Sequence, residues 1–229
     1  MKTIGLIGGM SWESTAIYYR QINEEVKARL GGLHSAKLLL YSVDFQEIEA
    51  CQAAGDWARS ADILTDAAIR LERAGADFLV ICTNTMHKVA PEIQASISIP
   101  ILHIAQATAQ QLLEQGVTTV GLLGTRYTMT QDFYRQKLTQ AGIQVILPQE
   151  EDLDTVHRVI YDELCQGIVS ETSRAEYLRI ISKMKQDGAQ GVILGCTEIG
   201  LLIRQSDVEL PVFDTTLIHS KRAALEALL

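Results

Sequence analysis

The sequence predicts an α/β fold of two related, doubly wound parallel-sheet domains with a ligand cleft between them. Three observations carry that expectation. Short β-type runs alternate strictly with longer stretches of helical period, the alternation restarts halfway along the chain, and the restart repeats residues of the first half in the same order. Strict alternation implies right-handed crossovers and parallel sheets covered on both faces. In such sheets ligands bind beyond the carboxyl ends of the strands.

The elements follow in order. TIGLIG (Thr3 to Gly8) is a strand, and Glu13 to Leu30 has helical period. Between them Gly8, Gly9, Met10 and Ser11 form a strand-to-helix turn, with Ser11 the N-cap and backbone amides available to a ligand. The pattern G-x-x-G-G is not the dinucleotide fingerprint G-x-G-x-x-G, and only Asp44 stands near the place of its acidic residue. AKLLLYSV precedes a helical stretch at Asp62 to Ala74, FLVIC one at Lys88 to Gln94, and IPILHI one at Ala105 to Gln115. The second half offers TVGLLG, QVILP, GVILGC and LPVFD, each followed by another helical stretch, the last capped by Asp214.

The repeat is explicit in three places. Gly5, Leu6, Gly8 and Tyr18 match Gly121, Leu122, Gly124 and Tyr134; AGADFLVICTN matches DGAQGVILGCTE with one insertion; IPILH matches LPVFD. The offsets lie between 111 and 116 residues, so one duplication explains all three.

Composition narrows the function. A chain of 229 residues suits one large domain or two small ones. Its 20 basic and 28 acidic residues give a formal charge of -8, with no basic cluster that could follow a phosphate backbone or an anionic bilayer, which argues against nucleic-acid and membrane partners. The N-terminal apolar run is broken by Gly8 and Gly9 and is too short for a signal segment, so the expected location is cytoplasmic. There the four cysteines, Cys51, Cys82, Cys165 and Cys196, are free thiols, and none has zinc-ligand spacing.

Two of those cysteines raise the functional question. Cys82 and Cys196 each end a buried apolar run, each is followed by Thr and then by a polar residue, Asn84 or Glu198, and the two are repeat-equivalent. A lone cysteine in such a run is a small core residue; a matched pair at two strand ends suits a reaction that needs one base on each face of a carbon. A thiol, with an unperturbed pKa of about 8.5, can take or give a proton near neutral pH. If Thr83 and Thr197 open helices, the free amides there stabilise a thiolate and bind a carboxylate. Asn84, Thr85 and Thr197 would then hold the carboxylate, and Glu198 an ammonium or a thiol proton. The second-half turn offers Gly124, Thr125 and Tyr127. A Cys-His pair with His87 or His103 is the competing nucleophilic arrangement, but it leaves the second cysteine unexplained. Cys51 and Cys165 lack repeat partners and read as packing residues, and His34, His157 and His219 as surface or helix positions.

GLIGGMSWEST, SVDFQEIE, CTNTMHK, LLGTRYTM, IYDEL and GCTEIGLL together resemble the cofactor-independent aspartate/glutamate racemase family, and most closely its bacterial broad-specificity amino-acid racemase branch. The resemblance implies a homodimeric isomerase without pyridoxal phosphate or metal, with Cys82 and Cys196 inverting Cα of a free amino acid. It implies substrate contacts at Thr83, Asn84, Thr85 and Thr197 and, more loosely, at Met10, Ser11, Gln52 and Thr125. It also implies that the C-terminal strand and helix return to the first domain, giving residues 1–99 with 211–229 and residues 100–210. Where aspartate-specific relatives place an Arg and a Lys for the side-chain carboxylate, this chain reads VDFQEIE and YDELCQG, and Glu198 stands where glutamate racemases have His. The substrate is accordingly acidic, or neutral and polar such as homoserine. Three other readings stay open: a two-cysteine isomerase of another carboxylate, a non-catalytic carboxylate sensor, and a thiol redox protein.

Overall fold

A computed structural model describes residues 1–229, in which the chain forms two units, Met1–Ile104 with His219–Leu229 and Ala105–Ile218. The first contains β1 (Ile4–Gly8), α1 (Trp12–Leu30), β2 (Leu38–Ser42), α2 (Phe45–Ala54), α3 (Trp57–Arg73), β3 (Phe78–Ile81), a 3-10 turn (Thr85–Val89) and α4 (Ala90–Ala95). Its strands are parallel in the order β2-β1-β3. Outside β3 a parallel bridge joins Leu79 to Ile101, through Leu79 N–H to Pro100 O and Leu102 N–H to Leu79 O, both 2.9 Å.

The two-residue period of the strands assigns the faces. Ile4, Leu6, Phe78 and Val80 enter one core with Tyr18, Ile22 and Val26, which recur every fourth residue along α1. Ile7, Leu79 and Ile81 enter the opposite core with Ile48 of α2 and Leu64, Ala68 and Leu71 of α3. Cys82 continues the phase of Phe78 and Val80 and lies in the first of these cores.

The second unit is built from α5 (Ile104–Glu114), β4 (Thr119–Gly124), α6 (Arg126–Thr130), α7 (Asp132–Gln140), β5 (Gln144–Ile146), α8 (Glu150–Asp162), a 3-10 turn (Leu164–Gln166), α9 (Glu171–Gln186), β6 (Val192–Gly195), α10 (Ile199–Leu202), β7 (Val212–Asp214) and the first turn of α11 (Thr215–Leu228). Its parallel sheet runs β5-β4-β6-β7. Strand for strand this is the order of the first sheet, with the Ile101 bridge in the place of β7. The sequence repeat is thus a repeat of topology. No helix is long and apolar enough to cross a membrane.

Two features differ from the sequence reading. Helix α2 and the first turn of α3 are absent from it, because α2 buries only Ile48 and Gln52 and so shows no apolar stripe. The start of each is instead marked by a cap, Asp44 accepting from Gln46 N–H (3.1 Å) and Asp56 from Arg59 N–H (2.9 Å). The C-terminal strand does not return to the first sheet either. β7 pairs with β6, Val192 N–H reaching Pro211 O at 2.9 Å, and only from His219 does α11 join the first unit, where Ala223, Ala224 and Ala227 pack beside Tyr18.

Candidate active site

Glycine shapes the turn after β1. Gly9 has φ of +92°, and a Cβ there would lie 2.2 Å from Val43 O, so no other residue fits. Its N–H donates to Thr15 Oγ1 (2.9 Å), which in turn donates to Ser11 O (2.9 Å). That amide is therefore committed within the turn and is not the ligand donor the sequence suggested. Ser11 caps α1 as expected, accepting from Ser14 N–H at 3.3 Å. Met10 is buried in the core that holds Ile48 and Met86.

The end of β3 lies beside this turn. Cys82 N–H donates to Ile7 O (2.9 Å) and Cys82 O accepts from Ser14 Oγ (3.4 Å), so strand β1 and helix α1 both hold the Cys82 backbone. The Cys82 side chain is fully buried, its thiol 3.9 Å from Val80 O. Asn84 and Thr85 are buried and Thr83 partly exposed. Gln52, buried on α2, donates to Met86 Sδ (3.0 Å) and so belongs to the same end of the sheet.

The second unit repeats the layout. Gly124 pairs with Gly195, which brings the residues after β4 and β6, Thr125 and Cys196, to adjacent strand ends. A Cβ on Gly124 would stand 3.1 Å from Gly195 O, so a glycine here permits close strand approach. Thr125 caps α6, accepting from Thr128 N–H at 3.3 Å. Here the resemblance between halves ends. Cys196 donates its thiol hydrogen to Glu198 Oε2 (3.0 Å), and Thr197 Oγ1 donates to the same oxygen (2.6 Å).

The electrostatics correct one expectation. The helical turns begin at Thr85 and Ile199, two residues later than the sequence reading placed them, and Cys82 is buried while Cys196 is partly exposed. Burial pushes the Cys82 thiol far up, and burial followed by the Glu198 charge pushes Cys196 well up. Both cysteines therefore rest as neutral thiols, not as helix-stabilised thiolates. Asp214 is raised by burial and caps α11, accepting from Thr216 N–H at 2.8 Å, as the sequence indicated.

The histidines make structural contacts. His87 makes no pair with a cysteine thiol, since Nδ1 meets Thr83 O (2.8 Å) and Nε2 accepts from Ile104 N–H (3.2 Å). His219 is at a helix position, one of the two places the sequence allowed, and is fully buried against Tyr18. Sequence reasoning also passed over Ser14 and Tyr177. Burial raises the Tyr177 hydroxyl well above its ordinary value, and that hydroxyl donates to Val156 O at 2.9 Å. Neither was marked by the repeat.

Comparison with known proteins gives a consistent picture. The family model described as Asp/Glu/Hydantoin racemase matches residues 7–223. The broad specificity amino-acid racemase RacX of Bacillus subtilis (strain 168) is 24% identical over 221 residues, 95% of each chain. A crystal structure from Yersinia pestis, provisionally described as an Asp/Glu racemase, superposes with a TM-score of 0.95 at 60% identity over 100% of both chains. The structure of an aspartate racemase homologue from Pyrococcus horikoshii OT3 does so at 0.87 and 37% identity, again over 100% of both.

Proposed function

Because the chain belongs to the Asp/Glu/Hydantoin racemase family, we propose that it is an amino-acid racemase in which Cys82 and Cys196 are the two bases and no cofactor takes part. The observation that carries this reading is positional. Each cysteine follows the same strand of the same four-position sheet, β3 or β6, beside the end of its β1 or β4 neighbour.

Inversion at Cα removes a proton from one face and delivers another to the opposite face. In the proposed reaction Glu198 takes the Cys196 thiol proton, the thiolate removes the Cα proton, and Cys82 donates its thiol hydrogen to the other face. Cys196 ends as a thiol and Cys82 as a thiolate, and solvent exchange or the reverse reaction resets the pair. Burial of the Cys82 thiol and partial burial of Cys196 suit this cycle, since an anion short of solvation is a stronger base toward a weakly acidic C–H.

Thr83, Asn84, Thr85 and Thr197 hold the α-carboxylate in this proposal, with Met10, Ser11, Gln52 and Thr125 shaping the remainder. The segment after β2 carries Gln46 and Glu47, and the one after α8 carries Glu163, which accepts from Ser173 Oγ (2.5 Å). Neither supplies a cation for a second carboxylate, so the proposed substrates include neutral polar amino acids as well as aspartate and glutamate. Incubation of L-aspartate, L-glutamate and L-homoserine in deuterium oxide tests this. Loss of the α-proton signal with formation of the D-isomer, abolished in Cys82→Ala and in Cys196→Ala, supports it; no exchange on any of them rejects it.

A further inference from the structure

Three histidines and a tyrosine are packed together in the first unit, and none of them has a role in the reaction above. Tyr18 OH lies 2.8 Å from His219 Nδ1, His219 Nε2 lies 2.7 Å from Leu102 O, and the His87 ring stands 4.6 Å from that of His103 and 5.7 Å from that of His219. His87 and His219 are buried. Their backbone partners fix their protons, because a carbonyl only accepts and an N–H only donates. His219 must carry hydrogen on Nε2 to reach Leu102 O, leaving Nδ1 to accept from Tyr18. His87 must carry hydrogen on Nδ1 to reach Thr83 O, leaving Nε2 to accept from Ile104 N–H. The two imidazoles are therefore opposite tautomers. Burial depresses both, His87 to about 4 and His219 to about 3, so both remain neutral at ordinary working pH.

The placement of these bonds gives them a consequence. Thr83 follows Cys82 directly, and Ile104 is the last residue of the first unit before the chain enters the second. The Cys82 backbone is already held on its strand side by Ile7 O and Ser14 Oγ. On its other side the Thr83 carbonyl is held by His87, which is itself anchored on the Leu102–Ile104 segment that His219 pins. We infer that His87 is a positioning residue for Cys82, its Nδ1–H fixing the Cys82–Thr83 turn and its Nε2 tying that turn to the segment at Ile104. The inference rests on the proposed role of Cys82 in racemisation. It adds a residue that has no counterpart in the second repeat, where exposed Leu201 occupies the matching place.

Two substitutions separate positioning from packing. In His87→Asn the amide N–H stands where Nδ1 stood and keeps the bond to Thr83 O; in His87→Gln the amide lies near the Nε2 position and that bond is lost. Both remove the ring and destabilise to a similar degree. A displacement of about 1 Å at a reacting group costs roughly 100-fold in rate. The expected result is therefore a fall in kcat of roughly 100-fold for His87→Gln against less than about 10-fold for His87→Asn, with similar melting temperatures. Amide exchange across Cys82–His87 should accelerate in His87→Gln alone. Equal losses of activity in the two variants, or unchanged exchange at that turn in His87→Gln, would overturn the inference. Nitrogen-15 NMR of the wild-type histidines gives a readout that needs neither variant nor activity. A single protonated Nδ1 on His87 and a single protonated Nε2 on His219 agree with it, and rapid tautomer averaging on His87 contradicts it. If the wild type racemises nothing, the proposed function fails, while the exchange and NMR results still decide whether His87 holds the turn.

Discussion

Cys196 donates its thiol hydrogen to Glu198 across 3.0 Å, and the same carboxylate oxygen accepts from Thr197 at 2.6 Å. The Glu198 charge has two opposed effects on the thiol. It offers a place for the proton and it repels the thiolate that results. Replacing Glu198 by Gln removes both, so thiolate formation becomes easier while the proton acceptor disappears. The account predicts that Glu198→Gln moves the pH profile of Cys196 alkylation to lower pH and yet lowers kcat by roughly 100-fold, within the range of lost general acid-base catalysis. Site-resolved mass spectrometry with iodoacetamide and steady-state kinetics measure the two effects on one sample.

The turn after β1 yields a stability prediction. Thr15→Val keeps the shape but leaves the buried Gly9 N–H without its acceptor, at a cost of about 1–3 kcal/mol. Gly9→Ala is worse, because the new Cβ meets Val43 O in a backbone conformation that alanine avoids. Urea denaturation followed by circular dichroism ranks the variants wild type, Thr15→Val, Gly9→Ala in falling order.

The buried histidines predict acid sensitivity. Both have folded-state values below 6.5, so below that pH the unfolded chain takes up protons that the folded chain refuses, and stability is lost as pH falls toward 4. By pH 5 the loss is on the order of 2 kcal/mol for each imidazole. Denaturation at pH 7.5 and pH 5.0 should show it, and His87→Asn should reduce the difference by about 2 kcal/mol whatever its absolute stability. Carboxylates titrate alike in both proteins and cancel in the comparison.

The sheets and the matched places of Cys82 and Cys196 at strand ends were legible because they rest on patterns the chain repeats: apolar runs of strand length, Gly8 matching Gly124, Cys82 matching Cys196. What could not be read were features without a period or a copy. The start of helix α2 is marked by its cap, Asp44, and not by an apolar face. The second sheet keeps β7 because backbone pairing with β6 decides it, which side-chain pattern does not encode. The Tyr18–His219 bond joins residues 201 positions apart, and nothing local to His219 marks it as buried. The state of the thiols depended on burial, which motif spacing leaves open.

The central claim is that two different groups act on the two faces of Cα, and the fate of solvent deuterium tests it most directly. The initial reaction of an L-amino acid in deuterium oxide, stopped within the first few per cent of conversion, is resolved into its two enantiomers and each is analysed by mass spectrometry. The account predicts that the D-product carries one deuterium while the remaining L-substrate keeps its proton, because the proton removed and the proton delivered belong to separate thiols. Protium retained in the product, or equal labelling of both enantiomers from the outset, would mean that one group serves both faces and would contradict the two-cysteine mechanism.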